Sequence, residues 1–217
     1  MTRGKQRWRC GNCGRHYTVS GGERGRPLSD KKKAVALYAA GLSYRAIGAL
    51  VQVSHVSVQK WLERYIPEWC PLPEPESRRP VILELDEMWH FLQKKTDKLW
   101  VWKALDKFSG RLVGWVCGDR DAATLKRLLA RLAPWKVLFY HTDGLESYAA
   151  VLAEDRHYQG KDETDAVERN NSRQRHWLAR FRRKTCVVSR KQENVDLAIQ
   201  CFAAFHVNKN AKIQMLV

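Results

Sequence analysis

The 217-residue sequence contains no apolar run approaching the ~20 residues needed to cross a bilayer. Its opening, MTRGKQRWRC, lacks the hydrophobic segment of a signal peptide. A membrane-spanning or exported protein is therefore not expected, and a soluble cytoplasmic one is. Close cysteine pairs are also scarce. Of Cys10, Cys13, Cys70, Cys117, Cys186 and Cys201, only the first two stand near one another. That spacing argues against a secreted disulfide framework and for reduced thiols. Acidic residues are few: 23 Asp and Glu stand against 39 Lys and Arg, a formal net charge of +16. An excess of that size favours a polyanionic partner, either nucleic acid or an anionic membrane surface.

What is present divides the chain into segments. Ten basic and two acidic residues lie between Met1 and Lys33, and nine basic and one acidic between Glu168 and Lys191. Two basic zones imply two contacts with a phosphate backbone, although any single surface Lys or Arg is usually only solvated. RWRCGNCGRHY offers Cys10 and Cys13 as one zinc knuckle, with His16 as the nearest extra ligand. A structural Zn²⁺ site takes four ligands and normally two such knuckles, so residues 1–24 read as a zinc-ribbon remnant. Its basic residues Arg3, Lys5, Arg7 and Arg9 could act without the metal.

Across residues 25–66, apolar positions Ala34, Leu37, Tyr38, Ile47, Leu50, Val51, Val58, Trp61 and Leu62 recur at helical spacing in three blocks. Gly41 ends the first block, while Ser43 and Ser54 can cap the next two. The short turn at Gln52 and Val53 gives a helix-turn-helix. Its last helix would offer Ser54, His55, Ser57, Gln59 and Lys60 to a major groove of double-stranded DNA. A plain or protein-binding three-helix bundle is the alternative. Five of the seven prolines fall within residues 67–80, which are expected to form an extended linker rather than helix or sheet.

Residues 81–217 change pattern. VILELDEMWHFL, LWVWKALDKF and RLVGWVCG read as an antiparallel meander. A helix from about Thr124 to Leu132 follows, then strand WKVLFYH, then helices near Leu145 to Ala153 and from about Ala166 and Lys191. That order is that of an α/β, RNase H-like mixed sheet with flanking helices, preceded by a small all-α helix-turn-helix domain. Asp86 interrupts an apolar strand, where an unpaired charge is costly and a cation or hydrogen-bond network is needed. Asp143 follows a strand, at the carboxyl end where α/β folds place ligands. Glu168 starts a helix, and with Asp165 as N-cap it also fits an ordinary capping box. Converging carboxylates from distant positions can hold two Mg²⁺ (or Mn²⁺) ions about 3.5–4 Å apart. Glu84, Glu87, Asp106, Asp119 and Asp121 compete for that role.

ELDEMW, FYHTDG and VERNNSRQRHWLARFRRKT resemble the three catalytic blocks of insertion-sequence-one transposases. The likeness covers nearly the whole chain, since CGNCG and the helix-turn-helix resemble the family's N-terminal half. It implies a DDE-type enzyme with a short gap before the glutamate; here 168 − 143 = 25, leaving 24 residues between. Carried over, Asp86, Asp143 and Glu168 become catalytic metal ligands, with Asn170 or Asn171 and Arg175 supporting them. Asn171, Arg175 and Arg180 are also expected to contact DNA. The upstream C-x-x-C of the family's ribbon is missing, which bears on zinc but not on the catalytic blocks. The resemblance implies cleavage of element ends and joining of 3′ ends to target DNA, by a homo-oligomer assembled on DNA. A DNA-binding regulator with an inactive second domain, and an RNase H-like nuclease or junction enzyme, are the rival readings.

Overall fold

Runs of apolar and aromatic residues build the three long strands of the sheet, which are buried on both faces because helices pack on either side. The computed structural model describes residues 7–17, 25–75, 79–160 and 164–212. Strands β1 (Trp8–Arg9) and β2 (His16–Tyr17) form a small antiparallel hairpin around the Cys10 and Cys13 turn. Arg3 and Lys5 lie outside the described residues. Helices α1 (Leu28–Ala39), α2 (Tyr44–Val51) and α3 (His55–Trp69) follow. The Ser43 side chain accepts from Ala46 N–H and that of Ser54 from Ser57 N–H, as their positions before each apolar block imply. Gln52 takes the left-handed conformation, φ 55°, that turns α2 into α3.

The linker expectation for 67–80 needs correcting at its start. α3 runs through Pro67 to Trp69, because Ile66, Trp69 and Cys70 are buried against the second domain. Proline near a helix end costs little when the residues beyond it gain a core. Gln200 Nε2 also donates to the Cys70 carbonyl at 2.7 Å.

The second domain carries β3 (Val81–Phe91), β4 (Lys98–Asp106), β5 (Leu112–Gly118), α4 (Ala122–Leu132), β6 (Val137–Thr142), α5 (Glu146–Ala149), β7 (His157–Gln159), α6 (Asp165–Trp177) and α7 (Gln192–Phe202). The five strands lie in the order β5-β4-β3-β6-β7. β3, β4 and β5 form the expected antiparallel meander, and β6 and β7 run parallel to β3. This is the RNase H-like arrangement. α5 is one turn long rather than spanning to Ala153, and β7 is an edge strand too short and polar to signal itself in sequence.

One face of the sheet packs on α4 and α5 through Leu83, Leu85, Trp102, Leu125, Leu128 and Tyr148. On the other, a single core unites α1, α2 and α3 with Met88, Leu105, Trp115 and α7 residues Val195, Ile199 and Phe202. The helix-turn-helix therefore shares its core with the sheet domain instead of hanging from a tether.

Candidate active site

The pairing pattern opens a gap beside β3. β6 pairs with β3 only as far as Glu84 opposite His141 and ends at Thr142. Beyond that point the β3 edge is open, and Asp143 stands at the mouth. Ligand oxygens of Asp86, Glu87 and Asp143 all come within 4.8 Å of one another. Among the described residues this is the only group of three or more metal-type ligands. Burial, then the charges of Glu87 and Asp143, raise the Asp86 carboxyl from 3.8 to about 7. A half-buried cluster of hard oxygen donors that repel one another suits a divalent cation.

Each acid is held differently. Asp86 Oδ2 accepts from Asn171 Nδ2 of α6. Asp143 Oδ1 accepts the Leu145 N–H at 3.1 Å, which fixes the turn into α5. Glu87 is buried and already engaged: Arg120 Nε and Nη2 donate to its Oε1 at 2.9 and 2.6 Å, and Tyr148 OH donates to Oε2 at 3.0 Å. Arg120 itself lies 4.7 Å over the Trp100 ring. Burial still raises the Glu87 carboxyl, with Asp143 adding to it against the pull of Arg120 and Tyr148.

Glu168 does not join this group. It is exposed in the first turn of α6. The capping-box reading does not hold either, since Thr164 takes the N-cap position without a side-chain cap. The cap comes from across the sheet. Glu84 Oε2 accepts the Val167 N–H at 2.9 Å, a buried carboxylate at the positive end of a helix. That bond and the one from Asn171 turn the 167, 170, 171 and 174 face inward and leave Glu168 on the flank it shares with Arg175, seven residues on. Arg175 is half-buried, and its guanidinium interacts electrostatically with Asp86 and Arg183.

Two residues expected to contact DNA are buried. Asn171 donates its Nδ2 to Asp86. Arg180 is buried as well. Its guanidinium donates to Ser189 Oγ at 3.2 Å and lies 4.8 and 5.8 Å from the Tyr38 and Tyr44 rings. It joins the two domains. On α3, His55 and Lys60 are exposed, Gln59 Nε2 donates to Glu63 at 2.8 Å, and the Ser54 and Ser57 hydroxyls meet at 3.0 Å. At the hairpin, backbone N–H groups of Cys13 and Asn12 lower the Cys10 thiol, yet no third metal ligand joins the pair among the described residues.

Sequence reasoning passed over Lys103. It lies on β4 directly opposite Asp86, is fully buried, and donates to Asn170 Oδ1 at 3.0 Å. Burial lowers it from 10.5 to about 7, against the pull of Asp86. The only signal in the sequence is a lysine inside the otherwise apolar strand LWVWKALD.

Residues 80–209 match the family described as IS1 transposase. The chain belongs to that family. Its function is accordingly that of a DDE transposase. Residues 27–67 match a homeodomain-like domain. Insertion element iso-IS1n protein InsB of Shigella dysenteriae is 34% identical over 127 residues, 58% of this chain and 97% of that protein. Insertion element IS1 2 protein InsB of Escherichia coli (strain K12) is 35% identical over 126 residues, 58% of this chain and 75% of that protein. Among solved structures, the catalytic core domain of BIV integrase is similar at 16% identity and TM-score 0.41, over 57% of this chain and 81% of that one. The HTLV-2 integrase catalytic core domain in complex with magnesium gives 15% and 0.40, over 62% and 86%. No helix among the described residues is long and apolar enough to cross a membrane.

Proposed function

We propose that this IS1-family transposase cuts DNA at the ends of its own insertion sequence and joins the freed 3′ ends to target DNA, with Asp86, Asp143 and Glu168 as its catalytic acids. The observation that carries this reading is the meeting of Asp86 and Asp143 in the gap where β6 ends. Their oxygens, with Glu168 brought in from α6, would hold Mg²⁺ or Mn²⁺. Bound there, such ions lower the pKa of an attacking hydroxyl and stabilise the leaving oxygen. In cleavage, water adds to the phosphorus as its bond to the 3′ oxygen breaks. In joining, that 3′ hydroxyl adds to a target phosphorus and displaces the target's own 3′ oxygen. Asn171 fixes the Asp86 carboxylate throughout, and Arg175 stands beside it to take a phosphate oxygen.

His55, Gln59 and Lys60 on exposed or half-exposed positions of α3 would read the element ends as the second helix of a helix-turn-helix does. Pairing two ends calls for at least two copies of the chain on DNA, and a cytoplasmic protein meets that DNA directly. The hairpin offers two thiols, so Zn²⁺ there would need ligands from elsewhere. The deciding experiment combines purified protein, Mg²⁺ and a DNA fragment carrying the element's ends. Asp143→Asn should stop nicking while binding DNA as tightly as wild type or more so, because a carboxylate near phosphate repels it when no cation intervenes. Wild-type nicking by Asp143→Asn would remove Asp143 from the site.

A further inference from the structure

α6 meets the sheet through an amide face where apolar residues would be expected. Asn170, Asn171 and Gln174 are all buried, with Val167 and Leu178 at either end. Three directional bonds cross from sheet to helix in its first two turns: Glu84 to Val167 N–H, Asp86 to Asn171, and Lys103 to Asn170. The first two come from β3. Lys103 alone comes from β4, so it fixes the helix about an axis that β3 cannot.

A fully buried lysine is an expensive way to hold a helix. Lys103 Nζ lies 5.9 Å from the Phe202 ring centroid and donates to Asn170 Oδ1 at 3.0 Å, its one hydrogen-bond acceptor among the described residues. Taking an ammonium out of water costs free energy that a bond to one neutral amide oxygen does not return in full, so a well-packed apolar side chain of similar size would serve the fold at least as well. Packing against Val167 and Leu178 would hold α6 in place, but apolar contact leaves a helix free to roll by several degrees, whereas a bond to one oxygen of Asn170 does not.

We infer that Lys103 is a positioning residue for the transposition reaction: by holding Asn170 it sets the roll of α6, and with it the hold of Asn171 on Asp86 and the approach of Glu168 and Arg175. The inference rests on the catalytic reading above. Lys103 and Asn170 stand one link behind Asn171, which bonds Asp86; substitutions of residues bonded directly to metal ligands typically cost about 10–100-fold in metal affinity or activity, and the lower end of that range is expected here.

The test uses the full chain and compares Lys103→Met, Asn170→Leu and Asn170→Asp. Thermal melting without metal, Mn²⁺ affinity by calorimetry, and cleavage of end-bearing DNA at saturating Mg²⁺ are measured on each. Lys103→Met should melt at or above the wild-type temperature, bind Mn²⁺ about 10-fold more weakly, and cleave more slowly by a similar factor. Asn170→Leu should weaken Mn²⁺ binding to the same degree but melt lower, because it strands the buried lysine; the double substitution should be no worse than either in metal affinity, and Asn170→Asp, which keeps an acceptor oxygen, should recover most of the loss. Wild-type Mn²⁺ affinity in both Lys103→Met and Asn170→Leu overturns the inference. So does tighter Mn²⁺ binding in Lys103→Met, which would make the lysine a repelling charge. Loss of melting temperature with unchanged metal affinity would make it a packing residue only. If Lys103→Met does not fold, the contrast between Asn170→Leu and Asn170→Asp decides. Failure of the wild type to cleave any DNA would sink the catalytic reading, and the Mn²⁺ comparison would still judge Lys103.

Discussion

Asp86 shows how much one residue's surroundings add to its identity. Its carboxyl sits at about 7, held up first by burial and then by Glu87 and Asp143. The folded value lies above the ordinary 3.8, so the stability it contributes is complete below about 4 and is lost as pH rises through about 7. A bound cation requires the ionised form and must displace that proton. Mn²⁺ affinity should therefore rise about tenfold per pH unit up to roughly pH 7 and level off above it. Calorimetry in buffers of different ionisation heat reads both the affinity and the proton released. An affinity that is flat between pH 5.5 and 8 would show that Asp86 is not a ligand. Asp86 and Asp143 were legible because a charge in an apolar strand and one at a strand's end each demand an explanation. Glu87 was legible only as a competitor, since its partners Arg120 and Tyr148 lie 33 and 61 residues away.

Helix α6 and the basic segment after it separate two kinds of arginine that look alike in VERNNSRQRHWLARFRRK. Arg175 is half-buried beside the acids, whereas Arg180 is enclosed by Tyr38, Tyr44 and Ser189. Arg175→Ala should weaken DNA binding across sequences and lower the slope of log affinity on log salt by about 0.9, one phosphate's share. Arg180→Ala should leave that slope alone and instead lower stability by about 2–4 kcal/mol, through lost stacking and an orphaned Ser189. Denaturant melts and salt-dependent binding on the same two variants check both. Equal salt slopes for the two would refute the distinction. The helical periods of α1, α2, α3 and α4 were readable because their apolar faces repeat. The inward face of α6 was not, because it is polar and its partners Glu84, Asp86 and Lys103 stand on other elements.

At the scale of the molecule, sequence composition suggested two bodies joined by proline, and the order of strands and helices was legible because each element carries its own period. How the bodies meet was not, since the contacts pair residues 130–167 positions apart. His206 Nε2 meets the Ala39 carbonyl at 2.8 Å, Tyr44 OH donates to Asn194 Oδ1 at 3.2 Å, and Gln200 reaches Cys70. Gly41, at φ +93°, lies so close to the Trp177 carbonyl that an added Cβ would collide with backbone. The join therefore admits no side chain at that point and cannot slide without opening. A fragment ending at residue 80 would expose Ile66, Trp69 and Cys70 at the end of α3, where the core is shared with the second domain. At about 25 cal/mol per Å² of apolar surface, and with a three-helix unit already near the lower size limit for independent folding, that exposure should be decisive. The fragment is expected to show no cooperative thermal transition alone, whereas the full chain melts in a single one. Cleavage of the linker in the intact protein should leave the two pieces associated on a sizing column in dilute buffer. A fragment that melts cooperatively and binds DNA as the whole chain does would show the helix-turn-helix to be a free module, and the angle between α3 and the acids would then not be set by the fold.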